Sequence, residues 1–299
     1  MNDLVALSAE VREALANRRP VVALETTLVA HGFPGEEGVR VALESERRVR
    51  EAGATPATVG ILDGAVRIGL DEDELRRFDP SARKVGPRDL AACAVQGGVG
   101  ATTVGGTLAA CRVAGIGFMA TGGLGGVHRG FPHPPDVSAD LGELARAEVL
   151  VVSSGVKSLL DVPATSELLE TLGIPVLGFR TDELPLFYTA RGGPPVSARV
   201  ESAAEAAHVA RTHWRLGRRT ALVLANPPAA SLDDVEPLIE QAVAAAADAG
   251  VAGQGVTPFV LDYLHRETGG RTLAANKRLI ADNAGLAAEV AAAYAELRA

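Results

Sequence analysis

Lysine is scarce in this chain. Of its 29 basic side chains only Lys84, Lys157 and Lys277 are lysine, and the other 26 are arginine. Arginine keeps its proton in proteins and cannot act as a nucleophile, whereas a buried lysine can lose its proton. Amine chemistry is therefore confined to three positions. Cysteine is scarcer still. Cys93 and Cys111 sit in Ala-rich, apolar surroundings, which suits core thiols of a reducing compartment and excludes a disulfide framework or a cysteine-rich metal site. No run of 18 apolar residues occurs, so no membrane span is expected. The Met1-Asn-Asp-Leu-Val start lacks a basic stretch leading into an apolar one, so no signal peptide is expected and the protein reads as cytoplasmic. Basic residues gather no further than pairs such as Arg47-Arg48 and Arg218-Arg219, and the net charge is −8. That balance argues against a nucleic-acid polymer as partner but leaves a small phosphorylated ligand open. No G-x-G-x-x-G spacing is present, which removes the dinucleotide fingerprint.

What is present is an alternation. Apolar runs at Val21–Leu24, Thr58–Leu62, Val66–Ile68, Ile116–Ala120, Val149–Ser153, Val176–Gly178 and Ala221–Leu224, most of them short, β-branched and uninterrupted by charge, read as strands buried on both faces. Between them lie helical stretches near Ser8–Ala16, Glu36–Ala52, Arg88–Gln96, Thr103–Ala114, Pro163–Leu172, Ala203–Leu216, Ser231–Ala249, Thr257–Glu267 and Arg271–Leu297. Gly53, Gly115 and Gly173 stand where left-handed C-caps are wanted. The pattern predicts a layered α/β/α fold around a central, largely parallel or mixed sheet. At 299 residues, with no convincing linker, the chain reads as one domain over 1–299. The Pro/Gly-rich segments Gly130–Asp136 and Arg191–Ser197 read as functional loops.

Four segments place polar residues near strand ends, where α/β proteins build their sites. Glu25 ends an apolar run; it is either a desolvated general acid or a carboxylate satisfied by a neighbouring cation or helix N-terminus. Thr121-Gly-Gly-Leu-Gly-Gly-Val-His-Arg-Gly130 joins close-approach glycines to donors on Thr121, His128 and Arg129, which suits a phosphate. Asp136-Val-Ser138-Ala139-Asp140 offers oxygen ligands for a hard divalent ion or partners for a sugar, unless Ser138 or Asp140 simply caps a helix over Leu141–Ala147. Lys157 follows the run Val149–Ser153 beside Gly155; a nucleophilic amine and a salt-bridging or phosphate-binding cation both fit. Lys84 with Arg88, Asn226 and Asn276 form weaker polar signals.

These strings resemble the pseudouridine-5′-phosphate glycosidase family. The resemblance rests on Ala23-Leu-Glu-Thr-Thr, Thr58-Val-Gly-Ile-Leu-Asp-Gly64, the Thr121–Gly130 string, Asp136-Val-Ser-Ala-Asp-Leu141, Ser154-Gly-Val-Lys-Ser-Leu-Leu-Asp161 and Thr257-Pro-Phe. They follow the family's order from about residue 20 to residue 285. The resemblance implies reversible cleavage of the carbon–carbon bond of pseudouridine 5′-phosphate to uracil and ribose 5-phosphate. It implies Lys157 as the amine that bonds C1′ of the opened sugar, Glu25 as proton donor and Asp136 as ligand of a divalent metal, usually manganese. Lys84, Val104, Ser138, Ala139 and Asp140 match substrate-binding positions, Thr121 and His128 fall in the phosphate loop, and Asn276 matches an active-site asparagine. A homotrimer is the implied assembly. Val85-Gly-Pro-Arg88, Asn226-Pro-Pro-Ala and Ser153-Ser154 depart from the family's usual strings, touching loop geometry but no matched catalytic residue. Another Schiff-base enzyme on a sugar phosphate, or a non-catalytic ligand-binding relative, are the alternative readings.

Overall fold

The computed structural model describes residues 4–132, 135–251 and 253–297. Among them the strands are β1 (Val5–Leu7), β2 (Val21–Glu25), β3 (Thr55–Leu62), β4 (Ala65–Ile68), β5 (Arg83–Val85), β6 (Gly100–Thr102), β7 (Phe118–Ala120), β8 (Val127–His128), β9 (Leu150–Ser153), β10 (Leu160–Asp161), β11 (Val176–Phe179), β12 (Ala198–Val200) and β13 (Leu222–Ala225). The helices are α1 (Ala9–Ala16), α2 (Thr27–His31), α3 (Glu37–Glu51), α4 (Glu72–Leu75), α5 (Leu90–Val95), α6 (Val104–Ala114), α7 (Ala139–Leu144), α8 (Val162–Thr171), α9 (Ala203–Arg215), α10 (Glu236–Asp248), α11 (Val256–Glu267) and α12 (Arg271–Glu296).

The main sheet runs β1-β4-β3-β2-β7-β9-β13-β11-β12, with β6 also on β3 and β5 on β6. Pairing is parallel except where β3 meets β4 and β6. At the centre, β2, β7, β9 and β13 are parallel neighbours and every residue in them is buried. Their side chains alternate between two cores. Val21, Ala23, Met119, Val151 and Val223 join α1, α6 and α8 on one face. Val22, Leu24, Phe118, Leu150, Val152 and Leu224 join α9 and α12 on the other. Cover on both faces is why these strands read as unbroken apolar runs, and the expected α/β/α layering with a largely parallel sheet is observed. Ala284, Ala287, Ala288 and Ala291 form the buried stripe of α12, small enough for the helix to lie close on the sheet.

The differences from the sequence reading have local causes. Strands β1, β5, β6 and β12 have three residues each, too few to show a period. Pro56 lies inside β3 and hid its first turn of chain. Helix α10 begins at Glu236, not Ser231, because Pro237 fits a first-turn position. Gly53, Gly115 and Gly173 adopt φ of +84°, +74° and +67° as expected. Residues 191–197 form a loop, as do the described parts of 130–136; His133 and Pro134 lie outside the described residues. No described helix is long and apolar enough to cross a membrane. Because the central strands are parallel, Glu25, Thr121, Ser153 and Asn226 emerge together at their carboxyl ends.

Candidate active site

Glu25, the last residue of β2, is 5% exposed. The Thr121 hydroxyl, just past β7, donates to its Oε1. Burial pushes the Glu25 carboxyl up; the nearby Lys157 charge, the Thr121 hydrogen bond and Lys84 pull the other way, while Asp140 adds to the rise. Beside it, threonines fix the local backbone. Thr26 Oγ1 donates to the Val59 carbonyl at 2.7 Å and accepts from Thr102 N at 2.9 Å, and Thr27 Oγ1 donates to the Thr102 carbonyl at 2.6 Å.

Lys157 is half-buried and is carried by a loop zipped to the glycine-rich segment. Ser154 N donates to Gly122 O at 2.9 Å, Leu124 N to Gly155 O at 3.0 Å, and Lys157 N to Leu124 O at 3.0 Å. Gly155 is required there: its φ is +83°, and a Cβ would stand 1.9 Å from the Pro185 carbonyl oxygen. Lys84, at the middle of β5, faces the same cleft. Burial, and secondly the Lys157 charge, lower its pKa to about 8.

Asp140 ties two walls together. It is 4% exposed; its Oδ1 accepts from Gly105 N at 2.8 Å in the first turn of α6, and its Oδ2 accepts from Gly125 N at 3.0 Å in the glycine-rich loop. A Cβ on Gly125 would lie 2.6 Å from that Oδ2 and 2.3 Å from Ser138 Oγ. Ser138 caps α7 by accepting from Asp140 N at 3.2 Å, so the capping alternative holds for Ser138. Asp140→Ala strands two buried N–H groups, an expected loss of roughly 2–6 kcal/mol at about 1–3 kcal/mol each. Denaturant unfolding checks this; a change under 1 kcal/mol, or about a fivefold shift in the folded-to-unfolded ratio, would remove Asp140 as the tie.

Glu25, Lys84, His128, Asp136, Ser138, Ala139, Asp140 and Lys157 line one cleft of about 370 Å³. His128 Nδ1 is 3.7 Å from Asp136 Oδ2. Desolvation lowers the His128 pKa despite Asp136, and Lys157 and Lys84 lower it further. The other expected residues fall elsewhere. Thr121 is 1% exposed and serves Glu25, so its hydroxyl is not presented as a phosphate donor. Val104 is fully buried as the first residue of α6 and does not line the cleft. Arg129 pairs with Glu236 at 2.8 Å and donates to Ser158 O at 2.9 Å, lining a neighbouring depression instead. Asn276 is 2% exposed, and its Oδ1 is buried without a hydrogen-bond partner; it does not line the cleft.

Several residues were not anticipated. Thr27, Thr103 and Thr257 line the cleft, and Arg88, a weak signal in the sequence, joins them. Asn283 is fully buried in α12, where its Nδ2 donates to Thr121 O at 2.8 Å and its Oδ1 accepts from Asn226 Nδ2 at 2.9 Å. It thus holds the ends of β7 and β13 together. Its signal was legible: an asparagine two turns beyond Asn276 in an Ala-rich helix falls on the same face. Lys277 instead pairs with Glu37 of α3.

This chain is similar to known proteins over nearly its whole length. The family described as Indigoidine synthase A like protein matches residues 10–293. A pseudouridine-5′-phosphate glycosidase of Streptomyces griseus is 51% identical, covering 98% of this chain and 93% of its own. One from Caldanaerobacter subterraneus is 45% identical, covering 97% of each. Among solved structures, the prealnumycin C-glycosynthase AlnA in complex with ribulose 5-phosphate superposes with a TM-score of 0.90 at 37% identity, over 100% of this chain and 99% of that one. An indigoidine synthase A (IdgA)-like protein of Thermotoga maritima gives 0.87 at 36% identity, over 100% and 99%. The chain belongs to the Indigoidine synthase A like family, within its pseudouridine-5′-phosphate glycosidases.

Proposed function

We propose that this chain reversibly cleaves the carbon–carbon glycosidic bond of pseudouridine 5′-phosphate, giving uracil and ribose 5-phosphate. The observation that carries the reading is the pairing of an amine, Lys157, with a carboxyl held toward its neutral form, Glu25, in one cleft. The names of its relatives, and the sugar phosphate bound by AlnA, support the substrate class.

An ordinary glycosidase protonates a leaving oxygen. Here the leaving atom is a uracil carbon with no lone pair, so direct departure is poor. In our reading the Lys157 amine bonds to C1′ as the C1′–O4′ bond breaks, and a proton passes from the nitrogen to O4′, leaving a secondary amine with a free lone pair. The nitrogen lone pair then forms a C1′=N double bond while the C1′–C5 electron pair moves onto uracil C5. Glu25 supplies the proton that C5 takes. Water adds to C1′, the carbon–nitrogen bond breaks, and ribose 5-phosphate leaves with the amine restored. In this reading the phosphate lies against Lys84, Arg88 and His128, three of the donors lining the cleft. Since the Lys84 charge is lost as pH rises through about 8, KM for the phosphorylated substrate is expected to climb above that pH. Lys84→Arg, which keeps its charge, should remove the inflection; an unchanged pH profile would take Lys84 out of phosphate binding.

A divalent ion such as manganese would meet Asp136, with the His128 ring beside it. Among the described residues no group of three His, Cys, Asp or Glu side chains comes together to hold a metal. That donor set fits only an ion that keeps much of its water and takes oxygens from a phosphate, whose charge it would neutralise. Asp136→Ala should weaken manganese binding, read directly by calorimetry, on the order of tenfold or more; unaltered binding would move the ion elsewhere. A cytoplasmic homotrimer completes the reading, in keeping with the buried free thiols Cys93 and Cys111. Assaying uracil release from pseudouridine 5′-phosphate, and its reversal from uracil and ribose 5-phosphate, tests the whole. A protein that turns over other sugar phosphates but neither of these would be a different Schiff-base enzyme.

A further inference from the structure

We propose that a second cleft, at the amino ends of the central strands, binds a short polyphosphate chain, free or carried by a nucleotide. It encloses about 740 Å³, within the roughly 300–1,000 Å³ of small-molecule sites. Its floor is Val21, Gly117, Phe118 and Val149, at the starts of β2, β7 and β9. The candidate active site lies beyond the opposite ends of these strands, so the two are separated by the length of the sheet.

Seven arginines line this cleft: Arg18 and Arg19 after α1, Arg112 on α6, Arg146 after α7, Arg211 and Arg215 on α9, and Arg219 beyond it. Their acidic partners are too few to balance them. Arg112 and Arg146 share the single carboxylate of Glu143, Arg19 pairs with Glu13, and Arg219 pairs with Glu148. Arg211 donates to the Leu297 carbonyl, and Arg18 and Arg215 have no ion pair among the described residues. Among the described residues seven cations thus meet three carboxylates, on a chain whose net charge is −8. Elsewhere arginines pair closely along helices, as Arg47 does with Glu44 and Glu51. Planar guanidinium groups in number suit a chain of phosphates, each able to accept a forked pair of hydrogen bonds.

The backbone adds an independent sign. Helix α1 closes with Arg18 N on Leu15 O and Arg19 N on Ala14 O, and Arg18 stands at φ +54°. The same pair of bonds closes α3, α8, α9 and α10, where the left-handed residue is Gly53, Gly173, Gly217 and Gly250. Glycine is the ordinary residue there. Arginine at α1 goes against that preference and sets a guanidinium on the cleft rim. Helix C-termini favour cations, which accounts for Arg112 and Arg215 in last turns and for charge at Arg18 and Arg19 just past α1, but not for Arg219 or for a left-handed arginine at Arg18.

Calorimetric titration of the full chain with sodium tripolyphosphate, ATP and orthophosphate tests this inference, which stands apart from the proposed activity. We expect one tripolyphosphate per chain, bound more tightly than orthophosphate. The double variant Arg18→Gly with Arg215→Ala should lower that affinity about tenfold or more, as loss of charge-assisted hydrogen bonds requires. Its melting temperature should hold, since glycine and alanine suit those two places. Lys84→Ala, at the other end of the sheet, should leave polyphosphate binding intact. Equal affinity for tripolyphosphate and ATP assigns the cleft to the bare chain, and stronger binding of ATP assigns it to a nucleotide. No binding of either, orthophosphate binding as tightly, or loss on Lys84→Ala without loss in the arginine variant would overturn the proposal.

Discussion

Lys157→Ala is expected to abolish uracil release, with kcat falling on the order of 10⁴-fold or more, the scale on which enzymes lose turnover with their nucleophile. That is about 5.5 kcal/mol of barrier or more, at about 1.4 kcal/mol per decade. The alanine variant alone does not separate a nucleophile from a phosphate-binding cation, since both lose their charge. Lys157→Arg does. Arginine restores the positive charge beside Glu25 and cannot be deprotonated, so a cation-only role would be rescued and a nucleophilic role would not. We expect the arginine variant to be as inactive as the alanine variant. The fold should survive both changes, because the loop is held by backbone bonds to Gly122 and Leu124 and by Gly155 against Pro185, none of which uses the amine.

The second large effect concerns Glu25. Glu25→Gln keeps the shape and removes the transferable proton, so turnover should fall on the order of 10²–10⁴-fold, the usual scale of general acid–base catalysis. Stability should move the other way. Burial raises the folded pKa of Glu25 above its ordinary 4.5, so the folded chain holds this proton more firmly than the unfolded one. The stability contributed by Glu25 is therefore greatest below pH 4.5, where both states are protonated, and is lost as pH rises through its folded pKa. Glutamine cannot ionise and escapes that fall. The variant should melt higher than the parent near pH 8, and the gap should close toward pH 4. Full activity in Glu25→Gln, or a lower melting temperature near pH 8, would count against the buried acid. The trade fits a group kept where it serves chemistry at a cost to the fold.

The architecture was largely legible in the sequence because the central strands are covered on both faces. Val21–Leu24 and Val149–Ser153 stood out as unbroken apolar runs, and their parallel pairing followed from the helices between them. The edge strands β1 and β12 were not legible, being three residues long and held by their neighbours. Residues whose chemistry and neighbours in sequence agree share one cleft: Glu25 at a strand end, Lys157 beside Gly155, Asp136 and Asp140 in one string. What sequence could not give was direction. Thr121 and Arg129 belong to the glycine-rich string, yet one turns to Glu25 and the other to Glu236. Asp140 looked like a ligand or a cap and proves to bind two backbone N–H groups across the cleft, a long-range contact no local pattern encodes. The three lysines likewise separate only in space: Lys84 and Lys157 face the cleft, whereas Lys277 pairs with Glu37.

The most direct test of the covalent amine is borohydride reduction of the full chain in the presence of ribose 5-phosphate, followed by peptide mass mapping. Reduction converts the carbon–nitrogen double bond of the sugar adduct into a stable secondary amine. A single pentose phosphate adduct on Lys157, absent when borohydride or sugar is withheld, is the predicted result. An adduct confined to Lys84 or Lys277, or none under conditions that support uracil release, would contradict it.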